Sequence, residues 1–159
     1  MSARRGDVRP ARPADRAAVV ALWDALVAEH AARDPVFALR EGSAATLLAA
    51  VDGISRDPAA ALWVWDGVDG VVGFCAALRR AAPATAAERW RVEITELVVA
   101  PAARRRGIGK ALALAAFDWA AGSGVARIEV RVSVHNDGGQ AFWRTLGFAD
   151  FVNVLDRRL

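Results

Sequence analysis

LVVAPAARRRGIGKAL, residues 97–112, runs from a strand-like apolar triplet through a proline and three arginines to two glycines one residue apart, then into an apolar helical segment. A strand ending near Val99 and a helix opening at the glycines aim unpaired backbone N–H groups and a helix dipole at one point, which attracts an anion such as phosphate. Gly107 and Gly109 remove side chains where the backbone must approach a ligand, and Arg104, Arg105 and Arg106 can pair phosphate oxygens. The same residues also admit a bland reading, with the glycines serving helix packing and the arginines a solvated turn. Two phosphate motifs are excluded. A dinucleotide fingerprint needs a glycine where Leu112 stands, and a nucleotide-triphosphatase loop needs a glycine at Arg104 and Ser or Thr at Ala111.

Upstream, WRVEITELVVAP, residues 90–101, is a strand with a phase slip. Val92 and Ile94 keep one parity, Leu97 and Val99 the other. A β-bulge near Thr95 and Glu96 would reconcile them; a fully buried strand with two polar interruptions is the alternative. Downstream, KALALAAFDWAAGSG reads as a buried helix closed by glycines, ARIEVRV as an alternating strand with Ala126, Ile128, Val130 and Val132 inward, and NDGGQAFWRTLG as a short helix ending at Gly147. FADFVNVLDRRL is expected to form a last strand. Toward the N-terminus, a short strand at residues 8–12 precedes a helix with Val19, Leu22, Trp23, Leu26 and Val27 on its apolar face. A second helix begins after Ser43, and residues 61–65 and 71–79 flank DGVDG as a hairpin. The order strand, two helices, three strands, helix, strand, helix, strand gives an α/β fold with a mixed sheet.

The 159 residues, 55% apolar, fit a single domain spanning 1–159. Residues 1–10 are basic but lead into no apolar run of signal or membrane-spanning length, so a soluble, unsecreted, cytoplasmic protein is expected. Cys75 is the only cysteine, which excludes an internal disulfide and a cysteine metal cluster, and no metal is expected. Its setting, GFCAA, is that of packed core. The net charge of +3, with acidic residues interleaved, provides no basic stripe for nucleic acid, and no membrane partner is expected either.

LVVAPAARRRGIGKAL resembles the acyl-CoA pyrophosphate-binding motif of the GNAT superfamily of N-acetyltransferases, through Arg104, Gly107 and Gly109. A second family element, Asn before a helix with an aromatic pair and then Gly-Phe, is matched by Asn136, Phe142, Trp143, Gly147 and Phe148. The two motifs, in family order, span residues 93–148. The resemblance implies a GNAT fold, a splayed mixed sheet flanked by helices, with acetyl-CoA wedged where two central strands diverge. It implies that main-chain groups of Leu97, Val98 and Val99 pair with the pantetheine arm. Backbone N–H groups of Arg105, Arg106, Gly107, Ile108, Gly109 and Lys110 would hold the pyrophosphate, with Arg104 beside them, and Asn136 would touch pantetheine. A bulged central strand is also a family feature, and a homodimer is compatible with the resemblance.

The implied reaction is acetyl-CoA-dependent transfer of acetyl to a primary amine of a small molecule or protein. A lysine-like amine, pKa about 10.4, is neutral in roughly one molecule in a thousand near pH 7, so a base is useful. Glu96 is the first choice for it and Glu93 the second, both on the strand where the family places such a carboxylate. A backbone N–H near Val98 or Val99 would stabilise the oxyanion. At Trp143 many family members carry a tyrosine that protonates the leaving thiolate, and this chain has no tyrosine. A water, Ser133 or His135 would then supply the proton, or the thiolate, pKa about 8.5, would leave unprotonated. The acceptor pocket is expected near Trp90 and DPVFALREG, with Glu41 and Glu88 as candidate acids. A noncatalytic acyl-CoA-binding module is the alternative reading.

Overall fold

The structure, a computed structural model, describes residues 6–158; the basic residues 1–5 and Leu159 lie outside it. Five strands, β1 (Asp7–Pro10), β2 (Ala60–Gly67), β3 (Gly70–Ala81), β4 (Trp90–Val99) and β5 (Ile128–Val130), form one sheet in chain order. The first four pair antiparallel and β5 joins β4 in parallel. Helices α1 (Arg16–Arg33) and α2 (Ala44–Arg56) precede β2; α3 (Ile108–Gly122) and α4 (Asp137–Thr145) flank β5 in sequence. The β2–β3 hairpin turns through Val68 and Asp69 between Gly67 and Gly70, with Gly70 at φ +106°, a conformation that strongly favours glycine.

Each sheet face has its own apolar core. Val19 of α1 and Val51 of α2 pack on Leu62, Val64, Phe74, Ala76 and Val98. On the other face Leu112, Ala113, Ala116 and Ala120 of α3 and Trp143 of α4 cover Trp63, Cys75, Ala77, Val92 and Ile94. Alanines line the buried side of α3, so the helix sits close to the strands, and Gly73 of β3 continues the fit: a Cβ there would stand 2.8 Å from the Val98 carbonyl oxygen and 3.2 Å from Leu112. Cys75 is fully buried in this layer, and burial pushes its thiol up to about 12. At the start of the chain Arg9 pairs with both oxygens of buried Asp15, at 2.7 and 2.9 Å, tying β1 to the entry of α1. That guanidinium holds the Asp15 carboxyl below its usual range.

The phase slip in β4 is a bulge. Glu96 pairs with Ala76 and Ile94 with Ala77, leaving Thr95 as the extra residue, so Val92, Ile94, Leu97 and Val99 all face α3. Two expectations differ from the structure. β5 is three residues long, shorter than residues 126–132, and the last strand is absent: residues 150–158 make no sheet pairing. The tail offers two adjacent apolar pairs, Phe151–Val152 and Val154–Leu155, which no single strand register can bury together, and the short β5 edge offers few partners. All four side chains are exposed. The tail is held by side chains, with the Arg127 guanidinium 4.7 Å from the Phe151 ring centroid and Arg158 3.1 Å from Asp34. Beside it Phe117, Ile128, Leu146 and Phe148 line an open groove. No helix among the described residues is long and apolar enough to cross a membrane.

Candidate functional site

The bulge at Thr95 separates two halves of β4 with different main-chain directions. Below it, the Val92 N–H donates toward β5, to the Arg127 carbonyl at 3.1 Å. Above it, the Ala100 N–H donates to the Val72 carbonyl at 2.8 Å, on the β3 side. The two-residue alternation of an antiparallel ladder turns Glu96 and Val98 toward β3 as well, and leaves Leu97 and Val99 facing away from it. Pairing of β4 with β5 stops at Ile94 and Val130, so that side of Leu97 and Val99 is an open gap between diverging strands. Of the three residues expected to present main chain here, Val98 does not: its backbone belongs to the β3 ladder and its side chain to the core under α1. The Val99 carbonyl accepts from Arg104 Nε at 2.9 Å.

Beyond Val99 the chain makes a 3-10 turn at Pro101–Ala103 and enters α3 through a loop with two left-handed residues, Arg105 at φ +63° and Gly107 at φ +81°. Among the described residues no backbone carbonyl accepts from the N–H groups of Arg105, Arg106, Gly107, Ile108, Gly109 or Lys110; the first helical bond runs from Ala111 to Gly107 at 3.0 Å. Six consecutive donors at the positive end of a 15-residue helix fit a pyrophosphate. The side chains around them divide the work. Ile108 is buried and contributes only its N–H, whereas Lys110, Arg105 and Arg106 are exposed. Gly109 packs under Phe142, whose ring lies 3.5 Å from where a Cβ would stand. Arg104 departs from the expected placement. Its guanidinium turns away from the glycines to Glu29 of α1, at 2.5 Å, so it anchors the turn from outside.

The bulge also decides the carboxylates. Glu96 lies opposite Ala76 and Glu93 opposite Leu78, two residues apart on β3, so both face the α1 side of the sheet. Their environments differ. Glu93 is buried and bonded to Arg80, with Arg131 3.5 Å from its other oxygen. Glu96 has no ion pair among the described residues, and burial alone pushes its carboxyl up to about 7. A group that titrates at neutral pH on the lip of the gap is suited to accept a proton there.

On the far side of the gap Asn136 caps α4, its Oδ1 accepting from the Gly139 N–H at 3.1 Å. A Cβ on Gly139 would stand 2.6 Å from the Asn136 amide nitrogen, so the cap requires the glycine. Trp143 is buried between Phe142 and Phe148, with ring centroids 5.0 and 5.1 Å away. It serves the core, and Phe142 is the aromatic residue fronting the glycine turn. Ser133 Oγ accepts from the His135 N–H at 3.2 Å in the exposed loop before α4. Trp90 is exposed and stacked by Arg79, on the sheet face opposite Glu96. Glu88 is paired with Arg127 at 2.7 Å, and Glu41 is exposed. The Arg80 and Arg131 contacts to Glu93 went unread in the sequence because they depend on strand register; the outward parity of Arg131 was the available signal.

The Acetyltransferase (GNAT) family matches residues 21–148. Among curated proteins, the mycothiol acetyltransferase of Renibacterium salmoninarum is 34% identical over 93 residues, covering 58% of this chain and 27% of that protein, so the chain spans about a quarter of its relative's length. Among solved structures, a point mutant of the BH1408 protein from Bacillus halodurans superposes with a TM-score of 0.87 at 20% identity, over 96% of this chain and 98% of that one. The aminoglycoside N-acetyltransferase AAC(6')-Iy in complex with CoA superposes with a TM-score of 0.77 at 20% identity, over 98% and 95% of the two chains. At such identities the structural likeness is one of fold.

Proposed function

The chain belongs to the acetyltransferase (GNAT) family, and from that premise we propose that it transfers the acetyl group of acetyl-CoA to a primary amine, with Glu96 as the base. The observation that carries this reading is the carboxyl of Glu96, held near neutrality by burial and placed by the bulge beside the open gap in the sheet. The mycothiol acetyltransferase and the aminoglycoside N-acetyltransferase share acetyl transfer by name and differ in acceptor, which supports the reaction class and leaves the acceptor to the chain's own residues.

The N–H groups of residues 105–110 would hold the pyrophosphate, and the outward main chain of Leu97 and Val99 would pair with pantetheine as an added strand does. Asn136, at the opposite lip, supports the α4 end of the gap. Acetyl-CoA supplies a thioester carbonyl. Glu96 takes one proton from the amine, directly or through a water, as the nitrogen–carbon bond forms and the carbon–sulfur bond breaks, the electron pair leaving on sulfur. A free N–H of Leu97 or Val99 is the donor available to the carbonyl oxygen as charge develops on it. Trp143 has no proton to give at neutral pH and is buried, so the thiolate leaves with a water as its proton source or with none.

The experiment is thiol release from acetyl-CoA with a panel of amines, for the wild type and Glu96→Gln. Amine-dependent release that falls about 10²–10⁴-fold in the variant supports the reading. The buried Trp143 and the lack of any tyrosine favour a second reading, a noncatalytic acyl-CoA-binding module. Tight acetyl-CoA binding with no amine-dependent release by the wild type would establish that module in place of the transferase.

A further inference from the structure

The sheet face that carries Glu96 also carries ion pairs that acetyl transfer does not use. Below the bulge, Arg91 of β4 holds Glu129 of β5 at 2.9 Å, and Arg127 reaches the same carboxylate and Glu88. One strand position further up, Arg80 of β3 and Arg131 converge on Glu93 from opposite sides. Four guanidinium groups share three carboxylates. The surplus charge falls on Arg131. Its side chain is 81% exposed, and its one ion pair among the described residues is a long 3.5 Å contact to an oxygen of a carboxylate already bonded to Arg80.

Register places that surplus next to the candidate base. Ile94 pairs with Val130, so Arg131 leaves the sheet alongside the bulge. The positions opposite Glu93 and Glu96 on β3 are two residues apart, roughly 7 Å along the strand. A solvated guanidinium held at its base by Glu93 can swing its outer nitrogens onto a second carboxylate and bind it bidentately. It repels a second cation at the same distance.

We propose that Arg131, backed by Arg80 and Glu93, selects the acceptor: the amine presented to Glu96 carries a carboxylate within one arginine side chain's reach, so the substrate class is amino-carboxylates rather than polycationic amines. This inference rests on the acetyl-transfer reading and narrows it. The test uses amines matched except for the carboxylate, such as phenylalanine with phenethylamine and β-alanine with ethylamine, together with spermidine. Thiol release is followed for the wild type, Arg131→Gln and Arg131→Lys. The wild type should favour the carboxylate-bearing member of at least one pair by about 10- to 100-fold in kcat/KM, mostly through KM. Arg131→Gln should reduce that ratio to within about twofold, and Arg131→Lys should restore part of it. Equal or better turnover of the carboxylate-free amines or of spermidine overturns this inference and leaves acetyl transfer standing. Binding of acetyl-CoA without turnover of any amine overturns acetyl transfer, and this inference with it.

Discussion

Two glutamates on one strand, three positions apart, have different physical fates. Glu93 is neutralised by arginines, whereas Glu96 is left with burial alone, which raises its carboxyl from an ordinary 4.5 to about 7. The raised value sets both activity and stability. The base form grows in as pH rises, so kcat/KM should climb through a limb near pH 7 that Glu96→Gln removes, as a pH–rate profile will show. For stability the sign is opposite. Between pH 4.5 and 7 the folded state holds a proton that the unfolded state releases, so stability falls as pH rises through that window. Glu96→Gln should therefore raise the unfolding free energy at pH 8 by about 1–3 kcal/mol and leave it unchanged at pH 4, as denaturant unfolding at the two pH values will show. A variant less active yet more stable is the signature of a strained functional group.

At the scale of the element, β4 depends on one surplus residue. Because a bulge sets two residues against one, deleting Thr95 keeps every later side chain on its present face while straightening the strand that diverges from β5. Such a deletion should preserve the circular dichroism spectrum and weaken CoA binding at least tenfold in a titration. Gly73 makes the complementary case: Gly73→Ala drives a methyl group against the Val98 carbonyl and Leu112, and should cost about 1–3 kcal/mol in denaturant unfolding. Much of this was legible beforehand. The parity change between Ile94 and Leu97 located the bulge, and the glycine pair located the start of α3. Illegible were contacts set by register or by distant helices, such as Arg104 with Glu29, 75 residues away in sequence. No local pattern records which cross-strand or cross-layer neighbour a long side chain will meet.

At the scale of the whole molecule, two cores on one sheet leave the C-terminal tail outside both. Residues 151–155 read as strand by composition, but pairing depends on an edge that composition does not describe, and β5 is too short to supply it. Ending the chain at Ala149 should shift the melting temperature by no more than a few degrees, since little buried surface and a few exposed ion pairs are lost. Breaking the Arg9–Asp15 clamp, which joins sheet and helix layers, should matter more: in Asp15→Ala, Arg9 keeps Asp66 but loses two charged hydrogen bonds and the Arg12 N–H loses its acceptor, which should cost about 1.5–3 kcal/mol by chemical denaturation. The molecule's central feature is the gap between β4 and β5, closed at one end by six N–H groups that bond to no backbone carbonyl among the described residues. Calorimetric titration of acetyl-CoA and of CoA into the wild type and a Gly107→Val variant tests it most directly. The wild type should bind both in the micromolar range, and the variant, whose β-branched residue resists φ +81°, should bind neither. Absence of binding by the folded wild type, or binding undiminished in the variant, would contradict this.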